Sequence, residues 1–348
     1  MAGMILLTDR QKFILELVIR EYVNSATPVG SQALGQGYDL GVSSATIRNE
    51  MARLEELGFL THPHTSAGRI PTDLGYRYFV EQLMGEAELS LAERRTIRHQ
   101  FHQARREMGQ WMKLSAAVLA QLAQGAAVVT APRMTESRFK HVELIHVHGL
   151  SALLVLVTQA GVVRQEMLTL SRPLSQNLLS RTAQFLNEHL AGLAVKEIDA
   201  LLEGFGPFEI DVARMVRDIL AWLDGQGGRE VYQTGASNVL SQPEFATTEL
   251  ARQFLNFFEG HVYLEQILSS LLGVDSGDVR IVIGVEDLYH DWLDLSFVLG
   301  RYGVTGVSTG MLGVLGPTRM GYERAVSAVR YVSGLLSELI SESYGLPE

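Results

Sequence analysis

The spacing of apolar residues along this chain switches repeatedly between a helical and a strand-like period, and that alternation limits the fold more than any single motif does. Up to about residue 125 the apolar positions recur three and four apart, in short pieces broken by Gly, Pro and Asn. Residues 140–147, 152–157 and 162–170 then alternate with period two, the first pair joined by a His148-Gly149 turn. Helical spacing returns over 174–223, followed by a lone strand-like piece near 230–233 and two helices at about 248–258 and 261–271. Strands resume at 279–285 and 295–299, continue through a Gly-rich region to Val314, and give way to a helix from about 322 to 340. Strands, helices, then strands and a closing helix predict an α+β domain interrupted by a largely helical insert. With 348 residues, two or three domains can each bury a core.

Residues 8–83 form a separate block of short helices. Thr8 is placed to cap a helix that runs to about Tyr22, with Phe13, Ile14, Leu17 and Val18 on one face. A break at 24–28 precedes a short helix at about 30–34, and Gly35, Gly37 and Gly41 supply the next turn. Ser43 caps a third helix over 44–57, closed by Gly58. Residues 59–70 read as two short strands around a 62–68 tip, and Thr72 caps a fourth helix to Met84. Residues 86–125 read as one long helical connector rich in Arg94, Arg95, Arg98, Arg105 and Arg106.

The third helix carries the functional signal. Ile47, Met51, Leu54 and Leu57 form one stripe that must face a core. Ala45, Thr46, Asn49, Ala52, Arg53 and Glu56 fall opposite, with Arg48 at the border. Short side chains at a helix start permit close approach to a major groove about 12 Å wide, Asn can read adenine with two hydrogen bonds, and Arg can read guanine or hold phosphate. Helix, turn, short helix, turn, helix and a hairpin make a winged helix-turn-helix. The hairpin tip, His62-Pro63-His64-Thr65-Ser66-Ala67-Gly68-Arg69, is rich in donors for phosphate or minor groove. The same stripe is compatible with a plain amphipathic helix whose Arg53 pairs with Glu50 or Glu56.

The stretches GVSSATIRNEM (41–51), PHTSAGRIPTDLGYRYFV (63–80) and GPTRMGY (316–322) resemble the HrcA family of bacterial heat-inducible transcription repressors. The resemblance covers nearly the whole chain, with the two N-terminal motifs the most specific. It implies a multi-domain α+β protein: a winged helix-turn-helix DNA-binding domain over 1–84, a helical connector plus GAF-like domain over 85–171 and 249–348, and an inserted dimerisation domain over 172–248. It also implies a cytoplasmic homodimer that binds the inverted-repeat operator called CIRCE in double-stranded DNA, represses chaperone operons and is modulated by the GroE chaperonin, with no membrane partner. DNA contacts carried over by the motifs fall on Ser44, Ala45, Thr46, Arg48, Asn49 and Arg53 of the third helix, and on His64, Ser66 and Arg69 of the wing. An alternative is a small-molecule-sensing GAF-type transcription regulator.

Composition bounds the remaining options. Lys and Arg number 29 against 39 Asp and Glu, a net charge of −10, which argues against a broadly basic footprint. Residues 1–84 alone hold 7 basic and 9 acidic side chains, so the DNA-binding reading rests on placement. The absence of cysteine excludes disulfides, thiolate nucleophiles and Cys-ligated zinc and fits a reducing cytoplasm. Residues 5–7 are too short an apolar run for a signal peptide, and the uncharged span 114–132 is Ala-rich and interrupted, a poor membrane segment. No nucleophile motif or dinucleotide fingerprint argues for an enzyme. His141, His146 and His148 lack an evident third metal ligand. The glycines from 303 to 316 suit tight turns better than phosphate binding, and Glu286, Asp287, His290, Asp291 and Asp294 read as a solvated acidic loop.

Overall fold

The computed structural model describes residues 7–38, 41–63, 68–85, 88–104, 107–134, 136–226, 230–260, 279–284, 295–304 and 308–344. In chain order its regular elements are α1 (Asp9–Ser25), α2 (Ser31–Gly37), α3 (Ser44–Glu56), β1 (Leu60–Thr61), β2 (Ile70–Pro71), α4 (Asp73–Tyr78), α5 (Leu91–Gln103), α6 (Met108–Ala123), β3 (Ala126–Thr130), β4 (Arg133–Met134), β5 (Phe139–His148), β6 (Ser151–Thr158), β7 (Val163–Thr169), α7 (Gln176–Leu190), α8 (Val195–Leu201), α9 (Pro207–Gln226), β8 (Val231–Thr234), α10 (Ala236–Leu240), α11 (Thr248–Glu259), β9 (Val279–Ile283), β10 (Leu295–Val304), β11 (Ser308–Pro317) and α12 (Tyr322–Tyr344). The chain is a mixed α+β protein in two compact units. The first comprises Met1–Thr130, Glu230–Tyr302 and Met311–Leu336, and the second Ala131–Arg229, Gly303–Gly310 and Ser337–Glu348.

The first unit begins with the block of short helices. Thr8 and Gln11 form a reciprocal capping box at the start of α1, and Ala26, at φ 52°, turns the chain out of it. Ile14, Leu15, Leu17, Val18 and Ile19 are buried together with Leu34 of α2 and Ile47, Met51 and Leu54 of α3. Phe13, expected on that apolar face, is instead 48% exposed, because the buried arc of α1 centres on Ile14 and Val18. The two-stranded antiparallel ribbon pairs Leu60 with Pro71 and Thr61 with Ile70. Beyond α4 the helix continues as a π turn over Phe79–Leu83. Tyr76 and Phe79 are buried, as core residues of this element should be.

The expected single connector over 86–125 is two helices. Ser90 and Glu93 form the capping box that starts α5, and hydrogen bonds from Ser90 and then the Arg324 guanidinium hold the Glu93 carboxyl down to about 2. Ala104 leaves the helical region at ψ 141° and Glu107 is extended, which separates α5 from α6. Of the arginines read on this stretch, Arg105 and Arg106 lie outside the described residues.

The central sheet has the strand order β8-β3-β11-β10-β9. β3 is buried along its whole length, and it pairs antiparallel with both β8 and β11. One face of the sheet packs Ala126, Val128, Leu295, Phe297 and Leu315 against Val239 of α10, Phe254, Phe257 and Phe258 of α11, and Phe245 between those helices. On the other, the Tyr302 hydroxyl of β10 reaches Met112 of α6 and the Thr130 carbonyl, and Tyr322 of α12 donates to Ser296 at 2.9 Å. Gly303 and Gly313 of the 303–316 run serve tight packing here. A Cβ on Gly303 (φ 106°) would lie 2.2 Å from the Ser308 carbonyl oxygen, and one on Gly313 would lie 2.8 Å from that of Val298.

In the second unit, β5, β6 and β7 form an antiparallel meander. Val142, Leu144, Ala152, Leu154, Leu156 and Leu168 face a core completed by Leu179, Leu186, Ile198, Val212, Val216 and Leu220 of α7, α8 and α9. The free edge of β5 is closed by side-chain amides of α7. Asn187 accepts from the Val142 N–H at 2.7 Å and donates to its carbonyl at 3.0 Å, and Gln176 makes the same kind of pair with His146 N–H and Leu144 C=O.

This packing redraws the expected boundaries. The strands of 139–170, grouped from sequence with the central sheet, pack instead on the helices that follow them, whereas β8 and α10, placed in the insert, belong to the central sheet and its covering layer. Period-two runs look alike in sequence whichever sheet they join. The partner is chosen by long-range packing. The expected helix at 261–271 and the acidic cluster at 286–294 lie outside the described residues.

Gly75 tests the joint between ribbon and helix. A Cβ there would sit 2.3 Å from the Phe59 carbonyl oxygen, so Gly75→Ala forces backbone movement. It is expected to lower stability by about 1–3 kcal/mol in urea titration. An unchanged midpoint would mean that α4 and residue 59 are not in this close contact.

Candidate nucleic-acid interface

α3 is positioned by its own stripe. Ile47, Met51 and Leu54 are at most 1% exposed and pack against α1 and α2, where Gly35 would place a Cβ 3.5 Å from the Ile47 side chain. Leu57, the last residue of the expected stripe, is half-buried at the C-cap. Fixing this face inward leaves Ser44, Ala45, Arg48, Asn49 and Arg53 exposed and Thr46 half-buried. Ser43 Oγ accepts from the Thr46 N–H at 3.2 Å, which caps the helix and leaves the N–H groups of Ser44 and Ala45 without an intrahelical partner. The exposed end of α3 therefore combines short side chains, free backbone donors and the positive end of the helix dipole.

The charges near this end divide into paired and unpaired. Among the described residues, Arg48 and Asn49 make no hydrogen bond or ion pair and point their full donor sets outward. Arg53 is paired with Glu56 at 2.6 Å, both side chains well exposed. Glu50 is engaged by Arg10 at 3.6 Å and by Gln11 at 3.2 Å. The helix carboxylates are thus spoken for.

Glu55 holds the ribbon to the helix. Arg69 donates to it from both Nε and Nη2 at 2.9 Å, and the His62 ring nitrogen contacts its other oxygen. Burial raises the Glu55 carboxyl, but the hydrogen bonds from His62 and Arg69 outweigh it and leave the pKa below the ordinary value. The backbone of Arg69 is also fixed: its N–H and C=O exchange 2.9 Å bonds with Val29. Gly68 lies so close to the 28–29 backbone that a Cβ would come within 2.5 Å of it. Arg69, expected to reach outward to phosphate, is turned to Glu55 and 21% exposed. His64 and Ser66 lie outside the described residues. Sequence reasoning did not single out Glu55, because nothing in the spacing of 55, 62 and 69 shows that the ribbon folds back onto the helix.

His141 pairs with Glu143 at 3.0 Å on an exposed strand, and among the described residues no three potential ligands come together for a metal. No helix among the described residues is long and apolar enough to cross a membrane.

Comparison with known proteins decides the family. The profile described as "HrcA protein C terminal domain" matches residues 109–326. Curated proteins named "Heat-inducible transcription repressor HrcA" are similar over nearly the full length: 45% identical in Roseiflexus castenholzii, covering 98% of this chain and 96% of that protein, and 43% in Thermomicrobium roseum, covering 98% of each.

The chain belongs to the HrcA family.

HrcA proteins are heat-inducible transcription repressors, regulators and not enzymes. One solved structure, described as "a hypothetical protein at 2.2 A resolution", matches this HrcA chain with a TM-score of 0.62 at 27% identity, covering 97% of this chain and 100% of that one. The family profile starts within α6, so the segment carrying α3 and the ribbon lies outside its match, whereas the full-length relatives span it.

The Glu55 cluster makes a testable pH signature for this HrcA-family chain. Because the folded pKa of Glu55 is depressed, its contribution is present above the unfolded carboxylate value of about 4.3 and is lost as pH falls through the lower folded value. Glu55→Gln should lower stability by about 0.2–1 kcal/mol at pH 7 and reduce the acid sensitivity below about pH 4.3. Denaturant titration at both pH values checks this, and parallel pH profiles for the two proteins would remove Glu55 from the account.

Proposed function

We propose that the chain is a sequence-specific DNA-binding repressor that docks the exposed end of α3 in a major groove. Three helices, of which the third is fixed by its apolar stripe, and a following two-stranded ribbon support a winged helix-turn-helix. The observation that carries the reading is the pairing state of the helix end. Arg48 and Asn49 are exposed and unengaged among the described residues beside an N-terminus with free donors, while Glu50, Glu55 and Glu56 are each neutralised by a partner. Ser44, Ala45 and Thr46 permit close approach, Asn49 and Arg48 read base edges, and Arg53, assigned to the contact by family resemblance, faces the DNA while paired with Glu56. His64 and Ser66 are assigned to the wing contact by family resemblance. Arg69 acts first as the residue that positions the wing.

The partner is an inverted-repeat operator of the CIRCE type in double-stranded DNA, bound by a homodimer, since two copies of one reading head demand two related half-sites. The outer face of the β5-β6-β7 meander supports the dimer. Ile145, Leu153 and Met167 stand in one cross-strand row and Val157 pairs with Val163 in another, with Ile145, Met167 and Val163 between 45% and 56% exposed. An apolar sheet face of this kind is a common mark of an interface. The central antiparallel sheet covered by helices on both faces is the GAF-like part. Cytoplasmic location and modulation by the GroE chaperonin follow from the resemblance to the family.

Arg48→Ala and Asn49→Ala should each weaken operator binding by about 1–3 kcal/mol and leave binding to random DNA far less changed. Gel-shift titration against both DNAs measures the difference, and equal losses on the two would exclude base reading. A Met167→Asp, Val163→Asp double variant should sediment as a monomer. A dimer that persists in this variant would exclude the meander face.

A further inference from the structure

The GPTRMGY segment at 316–322 carries part of the family resemblance, yet the DNA-binding reading gives it no task. In the first unit it forms one wall of a half-open cavity of about 300 Å3, whose other sides are the ends of α1 and α6 and Gln242. Arg319 and Arg324 are the charged residues lining it, and no carboxylate does. Gln121, Gln124 and Gln242 add side-chain amides. Gly321 and Arg324 bring in the first turn of α12, a helix of 23 residues whose leading N–H groups have no partner one turn back.

Both arginines are held in place by carboxylates that stay outside the cavity. Arg319 is 11% exposed and bonds Glu244 through Nε at 2.5 Å, Gln242 through Nη2 at 2.5 Å and the Val23 carbonyl through Nη1 at 3.1 Å. Arg324 bonds Glu93 at 2.6 Å and the Leu122 carbonyl at 3.2 Å. The cavity wall is closely packed where α6 ends: Gln124 adopts φ 51°, and a Cβ on Gly125 would lie 2.8 Å from the Leu315 carbonyl oxygen. In the same segment the Thr318 hydroxyl is buried without a hydrogen-bond partner, a feature that native chains seldom keep for stability alone.

We propose that this cavity is an effector site for a small ligand bearing an oxyanion, a carboxylate or a phosphate, and that its occupancy loosens the hold of Arg319 on α1. Arg319, whose Nε and Nη2 are both engaged by Glu244, offers an anion its Nη1, Arg324 and the side-chain amides add further donors with no carboxylate in the lining, and the volume at the small end of ligand pockets suits a compact metabolite. The Val23 carbonyl is a neutral acceptor, so an anion within reach of Nη1 competes with it successfully. Helix α1 packs directly on α3, so the effect reaches the proposed reading head through one helix. Binding itself is independent of whether the chain reads DNA.

The test uses the full chain with inorganic phosphate and succinate as probes, followed by isothermal titration calorimetry and by amide hydrogen exchange. At least one probe is expected to give saturable binding, with phosphate alone or succinate alone naming the ligand chemistry. Affinity should fall at least tenfold in Arg324→Gln and in Gln121→Leu, the second of which breaks no ion pair. At saturation the last turn of α1, residues 22–26, should exchange faster. Absence of saturable heat with both probes, affinity in both variants equal to that of the unsubstituted chain, or unchanged exchange in that turn would each overturn the proposal.

Discussion

The burial of one stripe on α3 is the constraint on which the candidate interface depends. Ile47, Met51 and Leu54 remove three large side chains from water, each stabilising by about 1.5–3 kcal/mol, and they leave the helix one rotational setting. Everything exposed at its start follows from that setting. A rotation of one position would bury Arg48 or expose Ile47, and either outcome is far more costly than any gain from surface contacts. The packing that stabilises the block is therefore the same packing that aims the outward side chains, so the geometry of the candidate interface and fold stability are not separable properties here.

A second set of contacts fixes the block on the central sheet of its unit. Arg20 of α1 grips Glu323 of α12 with two bonds of 3.0 and 2.7 Å, and its guanidinium lies 5.6 Å from the Phe79 ring centre. Arg77 donates to the Ile283 carbonyl of β9 at 2.9 Å, Tyr76 meets Tyr322 at 5.9 Å between ring centres, and Arg319 reaches Val23. These contacts combine charge-assisted bonds, which fix geometry, with the buried rings of Tyr76, Phe79 and Tyr322, and they lie within one compact unit.

Local signals in the sequence were reliable where local physics decides the structure. Thr8, Ser43 and Thr72 cap helices because hydroxyl oxygens meet free N–H groups within three residues, and those caps needed no tertiary context. The stripe of α3 was legible for the same reason. What escaped was set by contacts far apart in sequence. Nothing local tells that the β5-β6-β7 meander chooses α7, α8 and α9 over the central sheet, or that Glu55 gathers His62 and Arg69. The break between α5 and α6 was missed because the intervening residues carry good helix formers, and propensity is a weak prior against tertiary demands.

The charge balance is resolved by the same distinction between local and long-range. A net −10, and 7 basic against 9 acidic side chains in residues 1–84, would leave a repressor repelled by DNA if the charges were spread evenly. They are not: Glu16 serves Arg20, Glu50 serves Arg10 and Gln11, Glu55 serves His62 and Arg69, and Glu56 serves Arg53. Internal pairing cancels these carboxylates at short range, so the field at the exposed end of α3 is set by Arg48, the helix dipole and the free amides. A footprint this small gives little non-specific affinity, because few phosphates are neutralised. On the proposed function, discrimination then has to come from base contacts, and a second copy on a related half-site would double them.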